Sequence, residues 1–112
     1  HIQVASLLIS SGASVNQART DDGTTPLNIA AQQGHAEVMR LLIGGGALVN
    51  QARTDIGTSP LYSAACNGHA EAVGLLIEFG ANTNQCISTV GWSPLFVAAH
   101  FGHAEVVRIL LE

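Results

Sequence analysis

Apolar and polar residues alternate along this chain in blocks that return every 34 residues. One kind of block is short and rich in alanine: Leu27, Ile29, Ala30 and Ala31, then Leu61, Ala64 and Ala65, then Leu95, Val97, Ala98 and Ala99. The other carries bulkier aliphatic residues: Val38, Leu41, Leu42 and Ile43, then Val73, Leu75, Leu76 and Ile77, then Val106, Ile109, Leu110 and Leu111. Helix punctuation brackets both. Thr25, Ser59 and Ser93 are good N-cap residues, each followed by a proline (Pro26, Pro60, Pro94) at the first helical position, where a missing N–H costs nothing. Gly34, Gly68 and Gly102 then stop a first helix near Gln33, Asn67 and Phe101, because glycine best tolerates a left-handed C-terminal conformation. A second helix is predicted over Ala36–Gly44, Ala70–Glu78 and Ala104–Leu111, with Gly46 and Gly80 closing the first two. The polar stretch that follows, such as Gln51-Ala52-Arg53-Thr54-Asp55, reads as a projecting hairpin or loop.

The register is strict. Gly23, Gly57 and Gly91 keep the same step, as do the Gly-His-Ala-Glu runs at Gly34, Gly68 and Gly102. So do the Gly-Ala pairs at Gly12, Gly46 and Gly80, then Asn16, Asn50 and Asn84, and Gln17, Gln51 and Gln85. A period of this length marks an array of stacked units, none of which buries its apolar face alone. Helices this short are marginal in water, so stacking has to hold them. The expected fold is all-α: a solenoid of stacked helix-turn-helix units joined by hairpin-like loops. Small residues on the first helices and bulky ones on the second should curl the stack, with the first helices on its concave side. The units are expected at 1–21 (a partial repeat whose residues 1–11 match a second helix), 22–55, 56–89 and 90–112, the last ending in its second helix. Because the chain opens in mid-repeat, it reads as a fragment or a trimmed piece.

These residues resemble the ankyrin repeat family, in its pattern of Gly-x-Thr-Pro-Leu-His, Ala-Ala, Gly-His, Leu-Leu and Gly-Ala-x-x-Asn. The resemblance covers essentially the whole chain and implies a platform that binds another protein through hairpin tips ("fingers") and the exposed face of the first helices. Two departures matter. The family period is usually 33, and the extra residue here falls between Gly46 and Gly57, so longer or bulged fingers are expected. The family's histidine after Thr-Pro-Leu, which ties the helix start to the preceding turn, is replaced by Asn28, Tyr62 and Phe96. Asn28 can partly substitute for it; Phe96 has to pack instead. The resemblance also marks Asn16, Asn50 and Asn84 as positions that eukaryotic ankyrin proteins can hydroxylate, although asparagine there also serves to hold a turn by bonding nearby backbone.

Composition narrows the partners. The chain has no lysine, and its four basic residues, Arg19, Arg40, Arg53 and Arg108, are scattered against a net charge of -4. That argues against nucleic acid, which requires a clustered basic face. No apolar run is long enough to span a membrane. Cys66 and Cys86 occupy non-equivalent places, so neither a disulfide framework nor a zinc site is expected, and an intracellular, cytoplasmic setting is the better reading.

The recurring polar residues invite chemical readings that the repeat itself absorbs. His35, His69 and His103 form a ladder, but equivalent atoms of adjacent repeats lie roughly 8–10 Å apart, against metal–ligand distances of about 2 Å. Each histidine is expected to hydrogen-bond a loop. Cys66 with His69 lacks an orienting third group. Glu37, Glu71 and Glu105 sit at helix starts, where the dipole favours a carboxylate. Gly44-Gly45-Gly46 ends a helix and so cannot cradle a phosphate at a helix start. No catalytic residue, metal or cofactor is expected.

Positions that vary between repeats are the candidates for contact. They are Asp21, Asp22, Thr24, Gln32 and Gln33 in one repeat, Asp55, Ile56, Thr58, Cys66 and Asn67 in the next, and Thr89, Val90, Trp92, His100 and Phe101 in the last. The first set is polar and acidic and the last is aromatic. The expected partner site comprises Asp21, Asp22, Gln32, Gln33, Asp55, Ile56, Asn67, Val90, Trp92, His100 and Phe101, with Trp92 and Phe101 as anchors and the acids as a rim. The alternative is a structural spacer within a longer solenoid. Apolar residues at both ends, such as Leu7, Leu8, Leu110 and Leu111, favour that reading or self-association.

Overall fold

A computed structural model describes residues 15–87 and 90–112. The helix expected within residues 1–11 and the finger residue Thr89 lie outside the described residues. Six helices are present among the described residues: α1 (Pro26–Gln33), α2 (Ala36–Gly44), α3 (Pro60–Cys66), α4 (Ala70–Glu78), α5 (Pro94–His100) and α6 (Ala104–Leu111). Thr25, Ser59 and Ser93 cap α1, α3 and α5 by accepting the N–H groups of Asn28, Tyr62 and Phe96. The three second helices match the expected spans. The helices α3 and α5 stop one residue earlier than expected, with Asn67 and Phe101 as their C-caps.

The helices stack in two rows. One row runs α1, α3, α5 and the other α2, α4, α6, each helix packing on the next of its row and on its partner in the same repeat. Ala31, Ala64, Ala65 and Ala98 are 0% exposed and allow close approach in the first row. Met39, Val73 and Leu76 fill the second. Met39 did not figure among the expected apolar positions, yet it is fully buried at the site of Val73 one repeat earlier. Ile29 departs the other way: grouped with the packing residues, it is 42% exposed.

Hydrogen bonds run from side chains of one repeat to backbone of its neighbour. The imidazole Nε2 of His69 donates to the carbonyl of Gln32, and that of His103 to the carbonyl of Cys66, both at 2.9 Å. Asn16 donates to Gly46 O (3.1 Å) and accepts from Leu48 N (2.7 Å); Asn50 accepts from Asn82 N (2.8 Å). Asn16 and Asn50 therefore bridge repeats, which goes beyond the local turn bonding expected of them. Asn28 forms a capping box with Thr25 and also donates to Gln51 O (3.2 Å), so it does take over a tie between helix start and loop. The fingers close by equivalent bonds, Arg19 N to Thr24 O, Arg53 N to Thr58 O and Ile87 N to Trp92 O, and the second seats on the first through Thr54 N to Asp22 O.

Candidate functional site

The third repeat builds an aromatic strip. Closure of its finger at the Trp92 carbonyl sets the indole beside the start of α5. Phe96 and His100, four residues apart, share one face of that helix. The Trp92 and Phe96 rings meet edge-to-face at 4.6 Å, Trp92 and His100 lie 5.2 Å apart, and Phe101 caps the strip edge-on to His100 at 4.9 Å. Such pairs contribute about 0.5–1.5 kcal/mol each beyond area burial, so the strip is partly pre-organised. The structure thus brings together three expected residues, Trp92, His100 and Phe101, and adds Phe96, expected only to pack. Phe96 does pack on Trp92 while remaining 49% exposed.

Comparing repeats sorts these residues. Gln33 and Asn67 are exposed although a further repeat stacks beyond each, so the position of Phe101 faces outward throughout the array. Phe96 differs, because its equivalents Asn28 and Tyr62 are only 2% and 6% exposed. Gln32 and His100 are likewise exposed; Cys66, at the same position, is half-buried, and Thr58 is buried rather than outward as expected. The Asn67 amide is engaged by the Ser63 carbonyl at 2.8 Å.

The fingers change character along the stack. Arg19 grips Asp21 through two hydrogen bonds (3.1 and 2.8 Å), and Arg53 grips Asp55 (3.2 and 2.5 Å) while reaching Asp22 at 3.5 Å. Arg19 holds the Asp21 carboxyl below its ordinary range, and Arg53 does the same for Asp55. Hydrogen bonds from Thr24 lower that of Asp22. Asp21 and Asp55 are therefore engaged within their own fingers, and Asp22 both within its own and by Arg53 of the next. The signal was present in the sequence, as an arginine two residues ahead of an aspartate in both fingers. Ile56 and Val90, at the position of Asp22, are exposed and apolar.

The nucleophile candidate meets a different fate. Burial pushes the Cys66 thiol up, away from the reactive thiolate, and His69 is committed to the Gln32 carbonyl. Glu37 and Glu105 pair with Arg40 and Arg108. Among the described residues, no three His, Cys, Asp or Glu side chains converge to hold a metal ion, and no helix is long and apolar enough to cross a membrane.

Two rows of short helices, joined by stacked fingers and stitched side chain to backbone, define a helical repeat solenoid. The family model for ankyrin repeats (3 copies) matches residues 1–53 and 46–112, and the chain belongs to that family. No curated protein matches the chain by sequence. Ankyrin repeats are generally protein–protein interaction modules and are typically non-enzymatic.

Proposed function

We propose that this chain holds a protein partner along the outward ends of its first helices and its finger tips, anchored at Trp92, His100 and Phe101. Gln32, Gln33 and Asn67 extend that contact along the stack, and Ile56 and Val90 offer apolar finger tips. The carrying observation is the position of Phe101: 55% exposed, braced by His100, at a site whose equivalents stay exposed under stacking. An exposed aromatic side chain at such a position has the character of an interface anchor. Asp21, Asp22 and Asp55 act in this reading through their arginine pairs, which stiffen the fingers, more than as free charges.

The test compares proteins captured by the wild type with those captured by Phe101→Ala and by Trp92→Ala plus Phe101→Ala, identified by mass spectrometry. Circular dichroism confirms that each variant is folded. A binder lost from the folded Phe101→Ala variant supports the site. Undiminished binding by both variants removes it.

A further inference from the structure

The chain contains a single Asn-Gly pair, Asn67-Gly68, where α3 ends. Such a pair carries a reaction of its own. The main-chain nitrogen of Gly68 attacks the side-chain carbonyl carbon of Asn67, forms a cyclic imide and expels the side-chain nitrogen as ammonia. Water then opens the imide at either carbonyl and leaves aspartate or isoaspartate, with no other reactant and no change of oxidation state. Glycine obstructs this attack least, because it has no Cβ and turns freely. Every other asparagine is followed by isoleucine, glutamine or threonine. At the equivalent places, Gln33 would have to close a larger ring, and Phe101 has no carbonyl to attack.

Asn67 is exposed, so water reaches it freely, yet the folded turn opposes the attack. As the C-cap of α3, Asn67 has ψ 4°, which eclipses the Gly68 nitrogen with the nitrogen of Asn67 itself and turns it away from the side chain. The Gly68 N–H is donated to the Ala65 carbonyl at 3.3 Å. The departing amide is held as well, donating to the Ser63 carbonyl at 2.8 Å. His103, from the next repeat, straddles the pair. Its Nε2 bonds the carbonyl of Cys66, just ahead of Asn67, and its ring rests on Gly68, where an added Cβ would lie 2.6 Å from Nδ1. Turning the Gly68 nitrogen onto the side chain breaks its bond to Ala65 and drives the turn against that ring. The reaction therefore waits for a local opening of the turn.

We propose that Asn67-Gly68 is a deamidation site held shut by His103, so that the grip of the third repeat on the end of α3 sets the rate at which Asn67 is converted. The product loosens that grip further. An aspartate places a negative charge at the C-terminal end of α3, where the helix dipole disfavours it, and has no N–H to donate to Ser63. An isoaspartate also adds an atom to the main chain between Cys66 and the left-handed Gly68. The change is irreversible, so the junction behaves as a timer whose escapement is a histidine. The proposal is independent of the partner site, because every group it invokes belongs to this junction.

The test incubates the full chain at neutral pH and physiological temperature and follows each asparagine by peptide mapping, with isoaspartyl methyltransferase labelling to detect isoaspartate. Asn67 is expected to react before every other asparagine, and more slowly in the folded chain than in the urea-unfolded one. His103→Ala should accelerate it roughly fivefold, the ratio that one lost hydrogen bond gives in the opening equilibrium. His103→Gln, which keeps a side-chain donor but not the ring, should accelerate it less and serves if His103→Ala does not fold. Asn28→Ala, which loosens the first repeat without touching this junction, should leave the rate unchanged. Equal rates in wild type and both histidine variants overturn the proposal, as does a wild-type rate equal to that of the unfolded chain. So does an acceleration by Asn28→Ala as large as that by His103→Ala, since global unfolding is then the route.

Discussion

The contact between His69 and Gly34 yields a quantitative prediction. The imidazole hydrogen-bonds Gln32 O while its ring covers Gly34, leaving no room for a Cβ. Gly34→Ala therefore incurs two penalties. Holding an alanine at φ 73° costs about 1–2 kcal/mol, and forcing a methyl against the ring costs roughly 1–3 kcal/mol more. His69→Ala loses one hydrogen bond to backbone, about 1 kcal/mol. Independent effects would sum to roughly 3–6 kcal/mol in the double variant. Removing the ring, however, also removes the clash, so the double variant should lose only about 2–3 kcal/mol, a coupling on the order of 1–3 kcal/mol. Urea unfolding of the wild type, both single variants and the double variant, followed by circular dichroism at matched pH, measures the cycle. Additivity to within about 0.5 kcal/mol would refute the idea that this glycine is dictated by its neighbour's histidine.

Other expectations follow from the same contacts. Asn28→Ala strands the buried Thr25 N–H and the Gln51 carbonyl, and should destabilise by about 1–3 kcal/mol in urea unfolding; Phe96→Ala at the same repeat position should cost less, since half of that ring is already in solvent. The lowered carboxyls of Asp21, Asp22 and Asp55 stabilise the fold above their unfolded values and lose that effect as pH falls through their folded values. The thermal midpoint should therefore decline below about pH 4, and Asp21→Asn plus Asp55→Asn should flatten that decline. An unchanged acid limb would show that these finger ion pairs add nothing. Towards a thiol reagent, Cys86, which is exposed, should react quickly and Cys66 slowly, its thiol being half-buried and pushed up by burial; two equal rates would contradict the packing of α3 against α5.

How far the chain could be read without its structure depended on where the partners of each residue lie. Caps, prolines and stop glycines act within a few residues, and the second helices could be read to the residue from them. Met39 escaped because methionine stands where the other repeats carry valine. The reach of Asn16 to Gly46 and Leu48 was hidden because its partners are 30 and 32 residues away. In the candidate site, Trp92, His100 and Phe101 stood out as departures from the repeat, but Phe96 could be sorted from them only by comparing exposure across repeats. The pairing of Asp21 with Arg19 and of Asp55 with Arg53 could be read only from the two-residue spacing, not from formal charge.

The histidine bonds carry a consequence for how such a surface diversifies. His69 binds the carbonyl of a glutamine and His103 that of a cysteine, with the same length of 2.9 Å. The structural obligation of Gln32 and Cys66 is thus discharged by the main chain, which every amino acid possesses. The exposed Gln32 side chain is released from it and can be exchanged without renegotiating the neighbour's grip, whereas Cys66 also packs against the core. Selection for a new binder and selection for a sound array act here on different atoms of one residue. Variation at the exposed position 32 can therefore accumulate in a single unit while its neighbours stay fixed.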